Sequence, residues 1–267
     1  MLEFEDRKKY SWQKIRKSDF QNFVYMILRL ITSSIQTFSL TLYESHSSYH
    51  VNKWIHDILN RRVKEIYIHS SKKYKFLSHS LLETMSLEIL VLKMNGCDIR
   101  VPTIVSLSYL TVLELSGITF TCKTFNDSEK LINLPVLRKY EAENCSWLNV
   151  KGGVTFEVPL LEVLLIKHTL VSKPHESHTV VKFCAPRLND FTYSDFVLRY
   201  TVLLDLDLST ARIVAANIHL IKLSEDSEEN MATFACEVLK QFNNNVERLK
   251  LEVSKVYMLY FIALGLQ

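Results

Sequence analysis

Glycine is scarce in this chain. Five occur among 267 residues, where ordinary usage of about 7% would give roughly nineteen. Loops that cradle phosphate need glycine for close backbone approach, so they have little raw material here, and no GxxxxGK, GxSxG or HExxH motif occurs. Cysteine offers no short pairing. Cys97, Cys122, Cys145, Cys184 and Cys236 make an odd number with no CxxC spacing, which reads as buried thiols in a reducing compartment and not as a disulfide scaffold or a zinc site. A dominant charge is missing as well. The formal net charge of +3 is too small to argue for nucleic acid, which needs clustered Lys and Arg, and the Lys72, Lys73 and Lys75 group reads as a solvated loop. Residues 1–12 carry acidic side chains where a secretory signal would have a basic start and an apolar run. The final apolar stretch, residues 256–267, is too short to span a bilayer. The expected setting is therefore the cytoplasm or nucleus, with no membrane and no nucleic-acid partner.

What is present is a cadence. Apolar residues at 48% and charged residues at 23% are average for globular proteins, so disorder throughout is not expected. In residues 86–99, SLEILVLKMNGCDI, Leu87, Leu90 and Leu92 are spaced three and two apart and Asn95 follows three later. That spacing reads as a leucine-rich repeat, in which the three leucines turn inward from a short strand and the asparagine can satisfy turning backbone. The same spacing recurs, and its middle positions are Phe38, Ile66, Leu90, Leu113, Tyr140, Leu164, Phe191, Ala216 and Leu249. The steps between them are 28, 24, 23, 27, 24, 27, 25 and 33 residues, all but the last within the range of such repeats. One repeat cannot close a core, so stability must come from stacking.

Helices punctuate the cadence. Residues 18–31 place Phe20, Phe23, Val24, Ile27 and Ile31 on one face, with Ser18 or Asp19 available as a cap. Residues 51–62 show Val51, Trp54, Ile55, Ile58 and Leu59 at helical spacing, and a third helix running from Met231 to Phe242 accounts for the long last step. The acidic run 225–229 would open that helix. Pro135, Pro159 and Pro186 stand two residues before a triplet, and Pro102 eight before one, where each would end a turn and start an extended strand. The fold expected is an α/β leucine-rich-repeat solenoid, a curved parallel sheet with an irregular or short-helical convex side. Residues 1–34 form an N-terminal segment and capping helix, and residues 35–267 about nine irregular repeats. Asparagine or cysteine fills the slot three after the triplet only at Asn95 and Cys145, so a continuous asparagine ladder is not expected.

Three stretches carry a resemblance: Val51-Asn52-Lys53-Trp54-Ile55 followed by Arg62-Val63-Lys64-Glu65-Ile66, the LEILVLKMNGCDI repeat, and the later Pro-x-Leu repeats with Cys145-Ser146-Trp147. Together they resemble the repeat region of plant F-box proteins of the F-box/LRR and FBD type, from Leu2 to about Val256. The resemblance implies the substrate-holding part of a cullin-RING (SCF) ubiquitin ligase receptor. The F-box that would grip the ligase adaptor is not among these residues, so an adaptor partner is implied only if one lies upstream. A stand-alone or truncated scaffold without a ligase role is the alternative.

Candidate chemistry is thin. His175 and His178 form an HxxH with no adjacent third ligand, and Asp205 and Asp207 alternate with leucines as on a wet strand face. No metal, cofactor or catalytic residue is expected. Residues between the last two triplet positions should face the concave sheet surface and hold a protein target: Tyr67, Val91, Glu114, Glu141, Leu165, Thr192, Asn217 and Lys250, preceded by Ser39. Lys93, Lys139, Glu143, Lys167 and Asp190 flank them. The mixed charge suits a protein partner and not a phosphate backbone; the bland alternative is the wet side of a sheet that binds nothing.

Overall fold

The computed structural model describes residues 1–6, 16–102, 104–121, 129–148, 153–168, 179–196, 202–207, 212–223, 228–242 and 246–256. His175, His178, Cys122, the first residues of the acidic run and the apolar stretch 257–266 lie outside them. The chain begins with β1 (Leu2–Glu5), α1 (Lys17–Leu30), β2 (Thr37–Leu42), α2 (Ser48–Leu59), β3 (Glu65–Ser70) and β4 (Tyr74–Leu77). Next come β5 (Ile89–Arg100), β6 (Ile104–Ser106), β7 (Val112–Thr121), β8 (Lys130–Asn133), β9 (Lys139–Glu143) and β10 (Ser146–Leu148). It continues through β11 (Val154–Glu157), β12 (Val163–Lys167), β13 (Thr179–Cys184), β14 (Asp190–Phe196) and β15 (Val202–Asp207) to β16 (Ile213–Leu223), α3 (Glu228–Lys240) and β17 (Val246–Val256).

These strands coil into a parallel β-solenoid. The long sheet runs β1-β2-β3-β5-β7-β9-β12-β14-β16-β17, and a shorter one runs β15-β13-β11-β8-β6. Every strand pairing among the described residues is parallel, and Phe38, Ile66, Leu90, Leu113, Tyr140, Leu164, Phe191, Ala216 and Leu249 are successive Cα partners. The repeat spacing therefore marked each turn's strand. Leu2 extends that row by pairing with Phe38, so the first residues belong to the sheet and not to a separate lead-in. On β17 the row emerges: Leu249 is 51% exposed, whereas Phe38 through Leu164 are buried.

The second sheet corrects one expectation. Helices α1 and α2 back the first strands, burying Val24, Leu28, Trp54 and Ile58, and at the far end Val238 of α3 and Phe242 in the turn after it are buried. Between them the side opposite the long sheet is neither irregular nor helical but five-stranded. Short alternating runs such as Val154-Thr155-Phe156-Glu157 each bury every second residue against the triplets. Across the layers the Tyr140 ring lies 5.4 Å from both Phe156 and Phe183, which stack at 4.6 Å. Pro135, Pro159 and Pro186 sit in corners joining the sheets. Leu137, Leu161 and Leu188 N–H groups donate to the carbonyls of Leu134, Val158 and Ala185, which places Pro135, Pro159 and Pro186 second in four-residue turns, where a missing N–H costs nothing.

Helix ends differ from the sequence expectation. Helix α1 is preceded by Arg16 with no side-chain cap, and Ser18 bonds Asp19 instead; α2 is capped by Ser47, which accepts from the Tyr49 N–H. Helix α3 starts at Glu228, inside the acidic run. In the turn slots, Asn95 Nδ2 donates to the Ser71 carbonyl at 2.9 Å, whereas Ile118, Cys145 and Ile221 are buried. The loops are closed by apolar packing as much as by hydrogen bonds. Between Lys93 and Cys97 the register of β5 against β7 shifts, and Gly117, at φ +66°, fits beneath that bulge.

Candidate functional site

Alternation builds the outer face of the long sheet. Triplet residues turn into the core, so those between them turn out. The register joins Ser39, Tyr67, Val91, Glu114, Glu141, Leu165, Thr192, Asn217 and Lys250 into one continuous row. All the residues singled out from the sequence thus stand side by side. A row two residues on aligns His69, Lys93, Ser116, Glu143, Lys167, Ser194 and His219. A row two residues back aligns Glu65, Ile89, Val112, Lys139, Val163 and Asp190.

A charge cluster occupies the middle. Lys139 Nζ lies 2.8 Å from Glu114 Oε1 and 2.9 Å from Glu141 Oε1, and Lys93 Nζ lies 3.6 Å from Glu114 Oε2. Burial opposes ionisation of Glu114, but the hydrogen bond and charge of Lys139, helped by Lys93, outweigh it and hold the carboxyl below its ordinary range. Hydrogen bonds to Glu114 and Glu141 in turn hold the Lys139 ammonium above its own. Such half-exposed pairs contribute about 0.5 kcal/mol each after solvent screening, so the cluster is a feature of recognition more than of stability.

An apolar strip adjoins it. Ile89 and Val112 are half-buried, and Val91, expected on the wet face, is only 9% exposed because Tyr67 and Glu114 flank it in the row. Burial, then the charges of Glu65 and Glu114, raise the Tyr67 hydroxyl above its ordinary value. Across the cluster, Val163 and Leu165 are half-buried as well. Ile89, Val112 and Val163 were not singled out from the sequence because they fall outside the three-and-two spacing; carrying the alternation two residues back would have found them. Towards the last turns, Thr192 and Asn217 are half-buried and Lys250 is exposed, 2.7 Å from Glu252. His219 sits between two hydroxyls, Ser254 Oγ at 2.7 Å and Ser194 Oγ at 3.5 Å.

The face offers ion pairs, hydrogen bonds and aliphatic contact. Among the described residues no group of three or more His, Cys, Asp or Glu side chains is arranged to hold a metal ion. Burial pushes the Cys97 and Cys145 thiols up to about 12, so both stay protonated at neutral pH. Residues 202–207 form the expected strand, β15, but the side chains of Asp205 and Asp207 lie outside the described residues. No helix among the described residues is long and apolar enough to cross a membrane.

The fold and its outer face define a parallel-strand solenoid with a registered, mixed polar and apolar surface. Set against protein-family models, curated proteins and solved structures, the chain finds no match. The solenoid class rests on the strand register alone.

Proposed function

We propose that this chain is a protein-binding module of the leucine-rich-repeat type and that the outer face of the long sheet is its contact surface. One observation carries the reading: an unbroken register places the Lys93–Glu114–Lys139–Glu141 cluster directly beside the Tyr67, Ile89, Val91 and Val112 strip. Interfaces combine a desolvated apolar centre with polar groups that fix orientation, and this face has both on one rigid element. Neither nucleotide chemistry nor a reaction centre is needed to account for it. The chain holds a partner and does not convert one.

The test is affinity capture quantified by mass spectrometry, using the 267-residue chain beside a variant carrying Val112→Arg and Leu165→Arg. Both side chains are half-buried on the outer face, so the variant should keep its thermal midpoint within a few degrees while losing the wild-type partner. An unchanged captured set would place the contact elsewhere. The resemblance to F-box/LRR receptors supports a narrower reading, in which the held protein is a ubiquitin-ligase target. That reading predicts an in-frame F-box upstream of Met1 and co-purification of the SCF adaptor with the longer product. If the longer product fails to retain the adaptor, the scaffold without a ligase role stands.

A further inference from the structure

A second surface lies on the opposite side of the first strands. Helices α1 and α2 pack on β1 to β3 through Phe20, Val24, Leu28, Val51, Trp54 and Ile58. Their outer sides leave a groove of about 550 Å³ walled by Tyr25, Met26, Arg29, Tyr49, His50 and Lys53. Helical spacing explains the wall: Met26, Arg29 and Leu30, at i, i+3 and i+4, share a side of α1, while Tyr49, His50 and Lys53 share a side of α2.

Two properties of this groove point to one kind of ligand. The first is exposed apolar area that the fold does not use. Met26 is 50% exposed, Leu30 69% and Tyr49 67%, although the inner faces of the same helices are fully buried. The second is charge of one sign. Arg29 and Lys53 line the groove with His50, and no carboxylate of the described residues lines it. Among the described residues neither Arg29 nor Lys53 has an acidic partner. Asp57, one turn beyond Lys53, lies 4.0 Å from His56 instead. The floor is already built: the Tyr25 hydroxyl is 2.8 Å from His50 Nδ1, and the Lys53 ammonium sits 5.1 Å over the Tyr25 ring. Little ordering is left for a ligand to supply.

We propose that the α1–α2 groove binds an acidic peptide segment of a protein partner, in which an aliphatic anchor is flanked by carboxylates. The anchor covers Met26, Leu30 and Tyr49. The carboxylates meet Arg29, whose guanidinium can hold one in bidentate fashion, and Lys53. A phosphate backbone suits the groove less well, because two full cations beside a wide apolar wall give few phosphate contacts.

Fluorescence anisotropy tests this with the full chain and three labelled hexapeptides: Glu-Asp-Leu-Leu-Glu-Asp, Glu-Asp-Ser-Ser-Glu-Asp and Lys-Lys-Leu-Leu-Lys-Lys. The first should bind best, and its affinity should fall as salt is raised. Arg29→Glu with Lys53→Glu should weaken it at least about tenfold, and Arg29→Ala with Lys53→Ala should weaken it in the same direction. Both residues are exposed, so each variant should melt like the parent chain. Val112→Arg on the outer face of the long sheet should leave peptide binding unchanged, which separates this site from the proposed contact surface. No binding of the first peptide, equal binding of all three, or indifference to the Arg29 and Lys53 variants would overturn the proposal. So would sedimentation showing a dimer that the charge reversal dissociates, because a second copy would then be the occupant. Capture of the chain by phosphatidylserine vesicles without peptide binding would overturn it in favour of a lipid surface.

Discussion

Gly117→Ala should be among the most damaging single-methyl additions this solenoid can receive. Gly117 holds φ at +66°, and a Cβ built on it would lie 2.1 Å from the Met94 carbonyl oxygen and 3.0 Å from its carbon. An ordinary carbon-to-oxygen contact is about 3.3 Å, so the backbone of the β5 bulge would have to retreat by about 1 Å. That displacement falls where the ladder is already irregular, between the Lys93–Ser116 and Cys97–Ile118 pairs. The left-handed conformation alone costs a residue with a Cβ about 1–2 kcal/mol. Loss of one ladder hydrogen bond adds about 1 kcal/mol, and repacking around the bulge adds about 1 kcal/mol more. The reduced freedom of the unfolded alanine chain returns about 0.5 kcal/mol. The net is about 3 kcal/mol, or a fall in Tm of about 6–12 °C for a chain of this size. Gly96 supplies the control. Its φ is +90°, yet its added Cβ would meet only Lys73 side-chain carbons at 3.6 Å and beyond, so Gly96→Ala should cost about 1–2 kcal/mol. Urea unfolding followed by circular dichroism measures both. Equal losses in the two variants, or a Gly117→Ala loss below about 1 kcal/mol, would refute the close-approach argument.

Three further outcomes follow from individual polar groups. Asp6 accepts from the Tyr43 and Glu44 backbone N–H groups at 2.6 and 3.1 Å and pairs with His46 Nε2 at 2.8 Å. Burial opposes its ionisation, but the His46 bond and the two backbone donors prevail and hold its carboxyl below the usual range. A depressed folded pKa means stability that is present above the unfolded value, about 3.9, and lost as pH falls through the folded one. Asp6→Asn should therefore cost about 2 kcal/mol at neutral pH, with the gap to the parent chain narrowing on acidification; a gap constant with pH would show that the charge of the Asp6 carboxylate contributes nothing. Trp54 is fully buried and its indole N–H has no hydrogen-bond partner among the described residues, so Trp54→Phe should cost well under the loss of about 3–5 kcal/mol expected for Trp54→Ala. Calorimetry that ranks the two equally would show the indole ring to be irreplaceable for another reason. Asn95→Ala should cost only about 0.5 kcal/mol in a melt, because its bond to the Ser71 carbonyl is exposed; a loss several times larger would mean that the turn depends on that amide.

The strand register was legible because burial enforces it. A slip of one residue would turn Leu90, Leu113 and Leu164 outward, so the leucine spacing had to mark the inward row, and the outward row followed by alternation. Of the second sheet only β15 was legible, from the alternation of Asp205 and Asp207 with leucines; the sheet as a layer was not, for a matching reason. Its strands are three to six residues long, too short for a period-2 pattern to stand out from loops in a chain half apolar. The prolines were seen, but only as strand starters. Their place in the corner turns follows from hydrogen bonds such as Leu137 to Leu134, which no spacing announces. β1 escaped notice because Leu2 and Phe4 alternate over four residues only. The α1–α2 groove depends on which helix faces remain uncovered once the sheet forms, and that is a property of the packed molecule.

The two surfaces differ in what their loss would do to the fold. In a solenoid each turn contacts its neighbours alone, so a perturbation decays within a turn or two. The α1–α2 groove belongs to the first turns, and the Glu114–Lys139–Glu141 cluster to β7 and β9, with β3 and β5 between them. Substitutions confined to exposed side chains at the two places share no partner, and their effects on stability should add. A partner engaging both could not gain by reshaping the protein; it would gain through effective concentration, one contact holding the ligand near the other. A nearest-neighbour fold is stiff along its ladder of parallel strands, so the spacing between the two surfaces is fixed before anything binds. Breaking the β5–β7 junction at Gly117 would then weaken a doubly anchored partner more than a singly anchored one, even though residue 117 touches neither surface.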